Sequence, residues 1–276
     1  MYRKITIIIL LGLLSGCMAK LSYSFADWII EWTVTDYVSL DKAQKKQLRL
    51  DIDSKLEWHK QTQIIPYRDW LIEFREQAQR GLTRQWLLAW SEQLTQFWQD
   101  AVLEITPEAI AFLISLSDQQ IEEMIASIDK NQLELEEQYD KPDVQKRLQE
   151  RQQRAEDFIG RLIGKLNDQQ KALIADWSKL SAGSTALWLQ NRAQWTRQFE
   201  QVLLTRNSEQ FADEITQLFV YREQLWSESY KQSVQENFHS GIDLALAIEP
   251  TMSAKQREKL NKFLNKWIAV LDKLSK

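Results

Sequence analysis

An all-α fold, an elongated multi-helix bundle with long antiparallel helical hairpins, is what this sequence predicts, on three observations. Only 7 Gly and 4 Pro occur among 276 residues, well below the usual shares of about 7% and 5%. The many turns of a sheet protein are therefore missing. Apolar residues recur three and four apart through most of the chain, the period of a helix packed along one side. Asp, Ser, Asn and Thr, which suit helix starts, stand just ahead of several of these stripes. With 44% hydrophobic residues the chain can bury a real core. Its 12 Trp are expected mainly at helix–helix contacts, where each buries about 150–250 Å². A Trp-lined groove for an apolar or aromatic partner is the alternative.

The chain opens with Arg3 and Lys4, an apolar run over residues 5–14, and then Ser15, Gly16 and Cys17. A basic start, a short apolar run and small residues describe a secretory signal peptide. The run falls short of the roughly 20 residues that a spanning helix needs. Leu14, Ser15, Gly16 and Cys17 resemble the bacterial lipoprotein signal motif, and Cys17 is the chain's one cysteine. That resemblance implies cleavage before Cys17 and lipidation of its thiol. Met18 in place of an Asp then implies sorting to the outer membrane, facing the periplasm. The expected organisation is a signal peptide over residues 1–16, a lipidated tether over 17–22 and a single helical domain over 23–276, with a projecting hairpin around 117–165. The formal charge of −4 falls by two more once Arg3 and Lys4 are removed. That excess argues against nucleic acid as a partner and supplies no overall attraction to anionic lipid.

The elements follow in order. Phe25, Trp28, Ile29 and Trp32 share one face of a first helix, expected to pack on the body rather than lie near the membrane. A second helix starts at Asp41 and runs through Leu48, Ile52, Leu56 and His59, with Trp58 on its flank. It should fray before Pro66, which suits the first turn of a third helix. Tyr67, Trp70, Leu71 and Phe74 form the stripe of that helix, and Gly81 closes it. Thr83 caps the next, striped by Trp86, Leu87, Trp90, Leu94, Phe97, Trp98 and Ile105. Thr106 and Pro107 then read as a new cap, opening a short helix over residues 109–115.

Residues 117–139 are strongly acidic, and the sign reverses after Pro142. An antiparallel pairing of an acidic arm with a basic arm follows, with the polar tip over 145–154 in solvent. Asn167 starts a helix with Leu173, Ile174 and Trp177 that breaks near residues 181–184. The next runs through Leu187, Trp188, Trp195, Phe199 and Val202. Ser208 is read as capping one long helix through Phe211, Ile215, Phe219, Leu225 and Trp226, bending near Gly241 and ending at Pro250. The last spans residues 253–276.

One motif recurs four times: an apolar residue, a cap residue, and Gln three positions after the cap. The copies centre on Asp41 and Gln44, Ser117 and Gln120, Asn167 and Gln170, and Ser253 and Gln256. The cap oxygen can accept from an orphan amide of the first turn, and the Gln can reach back to the cap's own amide. The irregular spacing excludes a solenoid of equal repeats. Four helix starts that need no ligand are the expected meaning. The motif is also similar to the apolar-Ser/Thr-x-x-Gln signature of small periplasmic helical chaperones, although no copy here has Thr at the cap.

A wider resemblance rests on Cys17, Tyr23, Trp28, Asp36, Tyr37, Leu40, Asp41, Gln44, Trp58, His59, Pro66 and Tyr67. Together they resemble a family of uncharacterised Gram-negative lipoproteins, classified as a domain of unknown function. Lys60 and the pair Ile64 and Ile65 depart from its pattern. The resemblance implies the compartment and a helical fold, and brings no activity with it.

Trp58, His59, Pro66 and Tyr67 form the candidate functional surface, at the corner between two helices. His59 is the best single candidate for a base, with Glu57 and Asp36 nearby in sequence. Yet positions 57 and 59 do not face each other on a helix, so a structural His bonded to a carbonyl or carboxylate is expected. With two His and no further Cys, neither a zinc site nor any other metal or cofactor is expected. No Gly-rich phosphate loop or nucleophile elbow is present. The leading expectation is a non-catalytic, lipid-anchored periplasmic protein that binds a protein partner or client. The alternatives are an envelope hydrolase using His59, and a lipid- or glycan-binding protein with a Trp-lined cleft.

Overall fold

The expected helices form because each buries one apolar stripe, and the computed structural model shows where each stripe goes. It describes residues 23, 25–139, 144–180 and 183–276. Cys17, the signal motif Leu14, Ser15 and Gly16, the tether, Pro142 and the break at 181–182 lie outside the described residues.

Among the described residues eleven α-helices follow one another: α1 (Ala26–Thr35), α2 (Lys42–Thr62), α3 (Ile64–Arg80), α4 (Arg84–Ser115), α5 (Asp118–Tyr139), α6 (Val144–Ile163), α7 (Asp168–Lys179), α8 (Ser184–Leu204), α9 (Phe211–Phe219), α10 (Glu228–Ile248) and α11 (Ala254–Leu274). Two short 3₁₀ turns, Arg222–Leu225 and Glu249–Thr251, precede α10 and α11. The protein is an all-α multi-helix bundle. Antiparallel pairing is clear from the cross-contacts. Glu31 of α1 meets Arg49 of α2, while Tyr23 reaches back to Leu56. Arg68 and Arg75 of α3 meet Asp272 and Asn265 of α11. The α3–α4 hairpin turns at Gly81, whose φ of +100° a side chain would resist.

The four Gln motifs build two clasps. Each Gln closes a capping box on its own helix, and the side chain then meets a second Gln from a distant motif. Gln44 Nε2 donates to Gln120 Oε1 at 3.0 Å, and Gln120 Nε2 donates back to Gln44 Oε1 at 2.7 Å. Gln44 also donates to the Ser115 carbonyl and Gln120 to the Ser39 carbonyl. Gln170 and Gln256 repeat the arrangement, at 3.2 and 2.9 Å, with the Thr251 and Lys165 carbonyls in the corresponding roles. In all four cases the accepting carbonyl lies five residues before the partner Gln. A primary amide carries a donor and an acceptor side by side, so two of them can satisfy one another face to face.

Each clasp sits on a hydrophobic centre. Leu40, Leu48, Leu116 and Met124, the apolar residues of the first two motifs, join Phe199, Leu203, Phe211 and Ile215 in the larger core. Leu166, Ile174, Met252 and Leu260, from the other two motifs, gather with Ile163 and Ile248 in the second. The apolar positions therefore place the motifs, and the amides fix their register.

Several expectations need correction. Thr106 and Pro107 do not start a new helix: α4 runs unbroken to Ser115 with Pro107 inside it. Thr106 is buried and its hydroxyl donates to the Val102 carbonyl at 2.6 Å. Val102, Thr106 and Leu113 keep one face in the interior, and that packing outweighs the backbone bond lost at Pro107.

Ser208 does not cap a long helix either. The chain breaks after α9, and Ser227 caps α10 by accepting from the Tyr230 amide at 3.3 Å. Gly241 lies inside α10. The acidic and basic arms are not partners: α5 packs along α8, whereas α6 packs along α7 and α11. The polar tip is solvated on one side only, since Arg151 of α6 lies over the Trp177 ring at 4.1 Å. As expected α1 packs on the body, along α2 and with Val34 against the larger core, but none of its residues is fully buried, and Phe25 and Trp28 are exposed.

Candidate functional site

The corner expected to be functional is an aromatic chain. Tyr23 Oη donates to the Leu56 carbonyl at 2.9 Å and lies 3.4 Å from His59 Nδ1. The His59 ring is 5.9 Å from that of Tyr23 and 5.4 Å from that of Tyr67. Tyr67 meets Phe97 edge-on at 4.8 Å, and Phe97 meets Trp70. Burial among these rings lowers the His59 pKa from its ordinary value, because the imidazolium loses solvation there. The expected carbonyl or carboxylate partner is therefore replaced by a tyrosine hydroxyl. Glu57 instead binds Gln61. Pro66 sits in the first turn of α3, and Trp58 is half-buried on α2.

The chain of rings ends at a clamp. Trp70 and Trp90 stack at 3.8 Å and 6°. Each indole N–H donates to the other's backbone carbonyl, at 2.9 and 3.0 Å. The clamp holds α3 against α4 with both ring nitrogens satisfied, and Phe74 and Trp86 pack on Trp90 beside it, so the rings form a continuous aromatic wall.

That wall belongs to a cleft of about 940 Å³, near the upper end of the range for small-molecule sites, about 300–1,000 Å³. Trp70, Leu71 and Phe74 of α3 form one side. Ala155, Phe158, Ile159 and Leu162 of α6 form another. Leu244 and Ile248 of α10 and Leu260, Phe263 and Leu264 of α11 complete it. Met252 and Ile163 border it beside the second clasp.

Polar groups are few and most are occupied. Arg257 pairs with the Glu249 carboxylate at 2.5 Å and its carbonyl at 2.9 Å. Arg75 donates to Asn265 at 2.8 Å. Two lining groups are left without a partner although shielded from solvent: Trp177 Nε1 and Asn261 Oδ1.

The sequence-predicted residues thus fall into three places. The eight capping residues hold the two clasps. Trp58, His59, Pro66 and Tyr67 hold the α2–α3 corner, one helical turn before Trp70. None of them lines the cleft. Sequence reading missed the cleft because its walls come from six helices spread along the chain. The signal that pointed there was the Trp content: Trp70, Trp90 and Trp177 all border it. Among the described residues no group of three or more His, Cys, Asp or Glu could hold a metal ion. None of the described helices is long and apolar enough to cross a membrane.

The model of a family of unknown function, DUF6279, matches residues 36–231, from just after α1 to the first turn of α10. No curated protein and no solved structure matches the chain.

Proposed function

The chain belongs to DUF6279, a family of unknown function, and we propose that it is a non-catalytic binding protein of the bacterial envelope whose tryptophan-lined cleft holds the hydrocarbon chain of a lipid. The observation that carries this reading is the cleft, with its volume of about 940 Å³ and its nearly continuous apolar lining. A hydrocarbon chain gains about 0.8 kcal/mol per methylene buried there. The unpaired Trp177 N–H and Asn261 carbonyl would meet a polar head, as orienting groups do in apolar sites. A glycan would instead need many polar partners, which this lining lacks.

The same reading keeps the compartment that the sequence suggests: outer membrane, lipid-anchored through Cys17, facing the periplasm. It needs no reaction. His59 lies outside the cleft among aromatic rings, with no carboxylate bound to it, which argues against the hydrolase alternative.

The test is saturable binding of a fluorescent polyene fatty acid to the purified protein. Ala155→Phe and Gly241→Phe would fill the cleft from opposite helices, and each is expected to weaken binding at least about tenfold, one cavity-filling side chain's worth. Far-UV circular dichroism should not change. Binding that never saturates, or that both variants leave intact, refutes the reading.

A protein partner is the second reading, favoured by a separate observation. Leu94, Trp98 and Ile105 are exposed along one stripe of α4, and aromatic residues of this kind are enriched at interfaces. Photo-crosslinking from position 98 in cells would yield one defined envelope protein if that reading holds, and no defined product if it does not.

A further inference from the structure

One side of α1 packs along α2, with Val34 against the larger core, and its other side is left as part of a surface of mixed character. We propose that α1 and the first half of α2 form a face that seats the protein on an anionic lipid surface. The argument starts from α1. None of its residues is buried. Phe25 is 51% exposed, Trp28 61% and Ile30 39%. Trp28 stacks on Trp32 at 6.4 Å and 14°, and of the two it is Trp28 that is exposed while Trp32 is half-buried. Tryptophan favours the boundary between lipid headgroups and hydrocarbon, where its ring is half solvated.

The neighbouring helix supplies the charge. Lys42, Lys45, Lys46 and Arg49 surround Leu50, itself 54% exposed, in a shallow depression of about 290 Å³ lined by these five residues alone. Arg49 pairs with Glu31 of α1 at 2.7 and 2.8 Å, and Lys45 lies within electrostatic reach of the same carboxylate. Among the described residues no carboxylate forms an ion pair with Lys42, Lys45 or Lys46. The formal charge of −4 thus hides a local run of four cations with no acid among them. Asp41 before this run and Asp51 and Asp53 after it limit its extent, and salt screens what lies farther off.

Lipid is favoured over a protein occupant by position and by this charge complementarity. Phe25 is eight residues from Cys17, a reach of at most about 29 Å when fully extended. This step rests on the anchored reading above. An acyl chain on Cys17 would leave the α1–α2 face no freedom to stand far from the bilayer. The face then adds a second contact to the anchor, as stable membrane association usually requires.

The test places the full chain with vesicles of phosphatidylglycerol mixed with phosphatidylcholine, or of phosphatidylcholine alone. A polarity-sensitive fluorophore sits at Leu50→Cys, or at Leu133→Cys on α5 as the control, and the lipids carry bromine quenchers. Quenching at position 50 is expected only with phosphatidylglycerol, with none at position 133. Lys42→Glu combined with Lys46→Glu removes two cations worth about 1 kcal/mol each near an anionic surface, so the seated fraction should fall at least about thirtyfold. Trp28→Ser should weaken it without altering the fold, since the ring is exposed.

Equal quenching in both vesicle types, quenching at 50 no greater than at 133, or indifference to the lysine changes would overturn the proposal. Flotation separates it from the anchor. Protein that floats with both vesicle types but shows no quenching at 50 keeps the anchor and loses the face. Protein that floats with phosphatidylglycerol vesicles alone keeps the face and loses the anchor, and protein that floats with neither loses both.

Discussion

Truncating one clasp glutamine should cost far more in the buried clasp than in the exposed one. Gln170 has no exposed surface. Its Oε1 accepts from the Asn167 amide at 3.0 Å and from Gln256 Nε2 at 2.9 Å, and its Nε2 donates to Thr251 Oγ1 at 3.1 Å. In Gln170→Ala the part-buried Asn167 N–H loses its acceptor and a cavity is left at a fully buried site, together at about 2 kcal/mol. The pairing with Gln256 is lost as well, at about 1 kcal/mol. A total of about 3 kcal/mol follows. Gln44 makes the corresponding bonds at a site where both it and Gln120 are only half-buried, so water replaces them and Gln44→Ala should cost about 1 kcal/mol.

The assay is urea unfolding followed by circular dichroism, with thermal melts in parallel. Gln170→Ala should melt roughly 5–10 °C lower. Adding Gln256→Ala should then cost about 1 kcal/mol less than it does alone, because its partner is already gone. Equal costs for Gln44→Ala and Gln170→Ala, or strict additivity in the double variant, would sink the argument that the amides act as a pair.

Other outcomes follow from the same geometry. His59 is held neutral by burial, so its folded pKa lies below its unfolded value. Its contribution to stability is complete above the unfolded pKa and declines as pH falls through it. His59→Gln should therefore flatten the loss of stability between about pH 7 and pH 5, read from urea midpoints. Glu200 is shifted the other way, upward, by burial and by the Asp129 carboxylate beside it. Its unfavourable effect grows as pH rises through the raised folded pKa, so Glu200→Gln should stabilise the protein at neutral pH and do little in acid. Gly164 has a φ of +93°, and a Cβ there would stand 3.0 Å from the Lys259 side chain. Gly164→Ala should cost about 1–2 kcal/mol through backbone strain. If Cys17 is processed as its motif suggests, mass spectrometry of membrane-derived protein will show an acylated N-terminal fragment, and Cys17→Ser will abolish it.

Legibility in the sequence followed the range of the interaction. Asp41, Thr83, Asn167 and Ser253 could be named as helix starts because a cap is settled within four residues. Gly81 was legible for the same reason. Gln44 and Gln120 could be read as closing their own boxes, but their meeting across 76 residues leaves no local trace. Pro107 misled because local preference says stop, whereas Val102 and Leu113 bind one face of α4 to the interior. Ser227 was passed over because the apolar stripe from Phe211 to Trp226 was read as part of one long helix that continues past it. The charge reversal after Pro142 suggested a partnership, but exposed charges pair weakly. Apolar packing on α7, α8 and α11 decided where those arms lie. The cleft could not be placed from the sequence because Trp70 and Phe263 meet only in the fold.

The clasps also say where this chain can change length. Each closes a loop, of 76 residues between Gln44 and Gln120 and of 86 between Gln170 and Gln256. The entropy of closing a loop rises by only about 0.6 kcal/mol for each doubling of its length, so ten residues more or less hardly alter the cost. The amide pair sees only the five residues ahead of each glutamine. Insertions in turns inside these loops and away from the clasps, such as the one around Gly81 or the one between α9 and α10, should be absorbed with the same bonds reforming. A single residue added between Ser39 and Gln44, or between Thr251 and Gln256, should not be tolerated.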